Sequence, residues 1–134
     1  MKKLSKFFSP VLFLAIALIG CEKLSDEELL TDHIWRWDKI TSTSTNIDIQ
    51  NIVTVTNALM TGATIEFRID GTFTLTALND TEDGTWELTD DNDTLILDGE
   101  EMTIVKLTKD ELVLEGEEVD DEYGIYSATL HLKR

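Results

Sequence analysis

The chain has 134 residues, 27 of them Asp or Glu against 11 Lys or Arg, for a formal net charge of −16. A field of that sign repels nucleic acid and anionic membrane surface alike. The single cysteine excludes a disulfide framework and a thiolate metal site, so stability has to come from a packed core.

Met1 to Lys6 carries Lys2, Lys3 and Lys6 with no acidic residue, and Phe7 to Ile19 is apolar apart from Ser9 and Pro10. Charge followed by an apolar run is the layout of a secretory signal peptide, with cations held on the cytoplasmic side and a core that enters the translocon. The run falls short of the ~20 residues that span a bilayer. It ends at Leu18-Ile19-Gly20-Cys21, which resembles the lipobox of bacterial lipoproteins. The resemblance implies a diacylglyceryl group on the Cys21 sulfur and Cys21 as the new N-terminus, a tether rather than a reactive thiol. Each buried acyl CH₂ then contributes ~0.8 kcal/mol, and several chains on one residue make a durable anchor. An ordinary signal peptide cut nearby, leaving a free thiol, is the alternative.

On this reading residues 1–20 are a lipoprotein signal peptide, residues 21–31 a lipidated N-terminus with an acidic tether, and residues 32–134 one folded domain. Three of the cations lie in the leader, which leaves 8 against 27 acidic residues and a formal charge of about −19 over 114 residues, the size of one domain. Ser25-Asp26-Glu27-Glu28 is similar to the acidic export signals that send Bacteroidota lipoproteins to the outer face of the outer membrane. A flexible polar spacer has the same composition. The expected location is the outer membrane, through the lipid anchor, with exposure at the cell surface if the patch is an export signal. Leu29 and Leu30 are expected to carry a short helical turn into the domain.

From His33 onward, short alternating runs broken by Asp, Asn and Gly predict antiparallel sheet. His33 to Thr41 puts Trp35 and Trp37 on one face and Ile34 and Ile40 toward the other. Ile65, Phe67 and Ile69 share a face before the Asp70-Gly71 turn, and Phe73, Leu75 and Ala77 follow it. Trp86 with Leu88, then Leu95 with Leu97, give two strands separated by the Asp90 to Asp93 turn. Met102 to Leu107 alternates imperfectly, as a bulge would make it. Leu112 and Leu114 follow a tight turn at Lys109-Asp110, and Tyr126, Ala128, Leu130 and Leu132 alternate to the C-terminus. Ile47 to Met60 breaks the rhythm. Its β-branched residues favour strand, but Ile49, Ile52, Val53, Leu59 and Met60 share one face at a 3.6 period, with Asp48 to cap the start and Gly62 to end it. A short amphipathic helix covering one end of a barrel is the preferred reading.

About eight antiparallel strands with mostly tight turns can close into a small up-and-down barrel, which removes exposed edges. The order of Trp35, Ile65-Glu66-Phe67, Asp70-Gly71-Thr72-Phe73, Gly84-Thr85-Trp86, Leu95-Ile96-Leu97, Ile104 to Leu107 and Glu111-Leu112-Val113-Leu114 resembles the small lipocalin-like domains of Bacteroidota lipoproteins. The resemblance spans roughly residues 30 to 134. It departs at His33, where such domains often carry Gly. It implies an all-β fold, an antiparallel up-and-down lipocalin-like β-barrel of about eight strands with one short helix after the first strand. It also implies a possible ligand cavity and fixes no ligand. In such a barrel the inward positions include Trp37, Phe67, Phe73, Trp86 and Tyr126, which either line an apolar pocket or fill the interior.

Other chemistry is not indicated. The acidic stretches Asp80 to Asp83, Asp90 to Asp93, Asp98 to Glu101 and Glu115 to Glu122 match no EF-hand spacing and read as solvated hairpin turns. His33 and His131 have no metal-ligand spacing with a second His or a Cys, and the alternation puts His131 toward solvent. Ser42, Ser44 and Ser127 pair with neither histidine in any nucleophilic arrangement. No catalytic residue, metal or cofactor is therefore expected. Two functions from different classes follow. One is a lipid-anchored envelope protein that binds a small apolar or amphiphilic ligand. The other is a non-enzymatic surface interaction protein with a filled core, whose acidic loops contact an envelope or host partner.

Overall fold

The computed structural model describes residues 24–120 and 124–134, so Cys21 and the stretch expected as a signal peptide lie outside the described residues. The first element is helix α1, Asp26–Thr31. Ser25 caps it, its hydroxyl accepting from the Glu28 amide at 3.2 Å and donating to Glu28 Oε1 at 3.0 Å. Asp26, Glu27 and Glu28 fill the first turn, where the unpaired amides of a helix start favour negative charge. Leu30 is fully buried, and its carbonyl accepts from the Trp35 indole at 3.1 Å. From Asp26 onward, then, the stretch expected as a tether is a helix pinned to the domain.

Eight antiparallel strands follow: β1 (Trp35–Ser42), β2 (Thr64–Phe67), β3 (Thr72–Ala77), β4 (Asp80–Leu88), β5 (Thr94–Leu97), β6 (Glu100–Leu107), β7 (Glu111–Asp120) and β8 (Gly124–Lys133). Helix α2, Ile47–Leu59, separates β1 from β2. Each strand pairs with its sequence neighbour and β8 pairs back onto β1, which closes the barrel. The expected architecture is the observed one.

Bulges set which side chains enter the barrel. The β1–β8 register shifts between Trp37 and Lys39, so Trp37 lies opposite Leu132 and Ile40 opposite Leu130. One extra residue inverts the alternation. Ile40, expected on the outer face, therefore shares the inner face with Trp35 and Trp37. The irregularity expected in β6 is a bulge between Ile104 and Lys106, which leaves Val105 57 % exposed. Ile69 does not continue the face of Ile65 and Phe67. It sits in a turn closed by the Gly71 amide on the Arg68 carbonyl at 3.1 Å, and it is 78 % exposed. His131 does lie on the outer face, opposite Val113 and Lys39, but it is half-buried there rather than free in solvent.

The acidic stretches are mostly strand. Leu78 and Asn79 both have positive φ, 54° and 61°, and form a two-residue turn that puts Asp80 opposite Ala77. Asp98 and Gly99, at φ 50° and 85°, do the same for Glu100 and Leu97. Positive φ at both central positions gives a turn whose twist matches the flanking strands, so pairing resumes at once. Asp80 to Asp83, Glu100, Glu101 and Glu115 to Asp120 are therefore ladder residues, Asp90 to Asp93 and Asp98-Gly99 are turns as expected, and Asp121 and Glu122 lie outside the described residues.

The core is concentrated toward one end. Trp35, Phe67, Leu95, Leu112, Leu114 and Leu132 are almost fully buried. Phe67 meets Phe73 and Trp86 with ring centroids 6.1 and 6.0 Å apart, the latter edge to face. The Trp86 indole donates to the Arg68 carbonyl at 2.7 Å. Helix α1 lies under this end, beside β2 and β6.

Candidate functional site

The opposite end is built differently because β2 is too short to line β1. Only two residue pairs join them, Trp35 with Ile65 and Arg36 with Thr64. Above Trp37 the edge of β1 that faces away from β8 has no strand beside it. Helix α2 takes that place. Asn57 presents its side-chain amide to this edge as a strand would: the Ile40 amide donates to Asn57 Oδ1 at 2.7 Å, and Asn57 Nδ2 donates to the Ile40 carbonyl at 2.9 Å. The same oxygen accepts from the Trp37 indole at 3.4 Å. Unpaired backbone groups in a barrel wall are costly, and one asparagine satisfies both.

Asn46, not Asp48, caps α2, its side-chain oxygen accepting from the Asp48 and Ile49 amides at 2.8 and 3.3 Å. The buried face runs through Ile49, Val53, Thr56, Asn57 and Met60. Ile52 and Leu59, expected on that face, are more than half exposed. The shift follows from Asn57, whose anchoring to Ile40 rotates the helix until a polar residue occupies the contact.

One cleft lies along α2, and a second lies beside Met60, just past its last turn. The first, toward β1 and β8, measures about 170 Å³ and is lined by Ile40, Ile49, Val53, Tyr126 and Ala128, with Ser42 and Thr56 as polar groups. The second, toward β3 and β4, measures about 360 Å³, with Met60, Leu75, Ala77 and Leu78 beside Asp80 and Glu82. Polar side chains hold the first cleft's rim. Ser42 Oγ donates to the Ser127 carbonyl at 2.8 Å, and Gln50 Nε2 donates to the Ser44 carbonyl at 2.6 Å, tying the start of α2 to the end of β1.

The five aromatic residues expected to face inward thus divide. Phe67, Phe73 and Trp86 come together in the packed end. Trp37 is half-buried beside Asn57, and Tyr126 lines the smaller cleft. Asn57, Thr56 and Ala128 carry no chemical signal in sequence. Their one legible trait is position, since Thr56, Asn57 and Met60 continue the helical row of Ile49 and Val53. Among the described residues no group of three His, Cys, Asp or Glu is arranged to hold a metal ion, and no helix is long and apolar enough to cross a membrane.

No protein-family model matches the chain, and no curated protein matches it in sequence. Solved structures do match. A DUF4847 family protein from Bacteroides vulgatus is similar over 82 % of this chain and 99 % of its own, with TM-score 0.51 and 16 % identity. Bovine odorant-binding protein in complex with its natural ligand is similar over 84 % of this chain and 74 % of its own, with TM-score 0.50 and 20 % identity. The same protein with a selenium-containing odorant gives TM-score 0.50 and 22 % identity over the same shares. Together with the closed eight-strand barrel and its single helix after β1, these likenesses make the fold lipocalin-like.

Proposed function

We propose that this protein binds a small apolar ligand, without catalysis, in the half-open end of its barrel beside α2. The observation that carries this reading is the completion of the wall beside a short β2 by a helix, with one apolar cleft along it and another beside Met60 at its C-terminal end. A narrow barrel has room for side chains or for one small ligand, and here the side chains fill one end only. The odorant-binding protein that holds its natural ligand on the same kind of fold supports the reading. An apolar neutral reporter, N-phenyl-1-naphthylamine, should show saturable one-site binding. Ala128→Phe, which fills the smaller cleft, should weaken it about tenfold while far-UV circular dichroism is unchanged. Absence of saturable binding by the parent protein contradicts the reading.

The same proposal places the barrel at the cell envelope. Cys21 carries the lipid, and the Ser25 to Glu28 patch directs the protein to the outer face of the outer membrane, the reading that the lipobox-like Leu18-Ile19-Gly20-Cys21 supports. Cys21→Ala should release the protein from membranes or leave the unprocessed precursor. A Cys21→Ala chain that is still processed and membrane-bound contradicts the anchor.

A further inference from the structure

The charges of this chain are sorted along the barrel. Among the described residues the cations are Arg36, Lys39, Arg68, Lys106, Lys109, Lys133 and Arg134. No Lys or Arg occurs in residues 40–67, 69–105 or 111–132, the segments that contain α2, the Leu78-Asn79 turn, the Asp98-Gly99 turn and the β7–β8 hairpin. The two turns and the paired ends of β7 and β8 lie at the half-open end, which is rich in carboxylates; the described cation on β1 above Trp37 is Lys39, opposite His131 on the outer face. The packed end is mixed: Lys106 pairs with Glu111 at 3.1 Å and Arg68 with Glu66 at 3.7 Å.

Two of the carboxylates belong to the inner face. Residues directly opposite in an antiparallel pair share a face. Glu82 lies opposite Leu75 and Asp80 opposite Ala77, and Leu75 and Ala77 are the residues that continue the inward row of Phe73. Both acids are exposed, and neither forms an ion pair among the described residues. With Met60 of the helix end and Leu78 of the turn, they line the larger cleft, of about 360 Å³. An apolar floor under two inward carboxylates, neither of them in an ion pair among the described residues, is complementary to one ligand chemistry. It holds an alkyl or aryl tail against Met60, Leu75 and Ala77, and a positive head against Asp80 and Glu82. It disfavours an anionic head such as a fatty acid carboxylate, through like-charge repulsion.

We infer that the cleft between Met60, at the C-terminal end of α2, and the β3–β4 hairpin selects cationic amphiphiles, such as alkyl amines, over neutral and anionic molecules with the same tail. The inference rests on the ligand-binding reading above. Decylamine, decanol and decanoate below their aggregation concentrations share one tail and differ in head charge, and calorimetric titration at pH 7 ranks them. Decylamine should bind about fivefold more tightly than decanol, the scale of a partly exposed ion pair, and decanoate more weakly than both. The margin over decanol should shrink in high salt. It should vanish in Asp80→Asn/Glu82→Gln, with decanol binding retained, and persist in Glu115→Gln/Glu117→Gln, which removes equal charge from the outer face. Equal binding of all three probes, or an amine preference unchanged in Asp80→Asn/Glu82→Gln, overturns the inference and leaves ligand binding intact. If none of the three binds, the ligand-binding reading falls and this one with it.

Discussion

The two ends of the barrel solve the same closure problem with different materials. At the packed end Trp35, Phe67, Phe73 and Trp86 fill the space between strands, and the indole N–H groups of Trp35 and Trp86 find carbonyl partners on Leu30 and Arg68. At the other end the wall is finished by a helix held by the Asn57 amide on Ile40, by Gln50 on the Ser44 carbonyl and by buried Ile49. The packed end is thus maintained by many contacts that reinforce one another, whereas the helical end rests on a few polar ties and the buried Ile49. A scaffold stabilised at one end can leave space at the other, because the core does not need that volume to hold the fold.

This contrast can be broken most severely in the packed end. Phe67→Ala removes a ring that meets both Phe73 and Trp86, and it should cost ~3–5 kcal/mol by urea unfolding. Tyr126→Ala, on the smaller cleft, should cost only about 1 kcal/mol. Comparable losses would mean that the helical end is as tightly packed as the other.

Asn57→Ala tests the joint itself. It leaves the Ile40 amide and carbonyl without their partner and should cost ~1–3 kcal/mol. The signature is local, with faster hydrogen exchange at Ile40 while amides at Phe67 and Leu114 keep their protection. Uniform loss of protection would show that α2 and the packed end unfold as one unit.

The smallest effect concerns His33, which is wedged against Trp35 with ring centroids 4.4 Å apart and a side chain 11 % exposed. Neither ring nitrogen has a hydrogen-bond partner. Burial, with help from the Arg134 charge, holds its pKa below the ordinary 6.5, and Asp32 and Asp110 only partly oppose this. The unfolded chain therefore takes up the proton first. Stability from neutral His33 is complete above pH 6.5 and declines as pH falls from there toward the lowered folded value, by at most about 1.4 kcal/mol per pH unit. Relief of the net negative charge acts in the opposite direction, so the comparison is with His33→Phe. Between pH 7.5 and 5.5 the parent's urea midpoint should fall relative to that of the variant. Parallel midpoints would show that His33 protonates equally well in both states.

Much of this molecule was legible in the alternation of its residues. Inward rows such as Phe73, Leu75 and Ala77, or Leu130 and Leu132, follow from a period of two, and that period is a local property of extended backbone. The irregularity of Met102 to Leu107 announced a bulge for the same reason. The bulge in β1 was not legible, because Trp35, Trp37 and Ile40 are all apolar and either parity of Ile40 fits the composition. Nor could composition tell acidic strand from acidic loop: exposed ladder residues such as Glu82 and Glu101 owe their place to backbone pairing, which carries no side-chain signature.

The helix shows where local reasoning ends. Its existence follows from the spacing of Ile49, Val53 and Met60, but its rotation and its place in the wall do not. Those were decided by β2, which pairs with β1 over two residues only and leaves Ile40 needing a partner that Asn57 supplies. Sequence by itself determined an acidic, cysteine-poor antiparallel barrel, because charge, periodicity and turn chemistry act between near neighbours. The tertiary structure alone decided which end is filled by aromatic rings and which is completed by a helix, and that Asp80 and Glu82 face inward over apolar residues. Those outcomes depend on strand lengths and register between residues far apart in the chain, where the pairing of backbone groups and the filling of one shared volume outweigh any local preference.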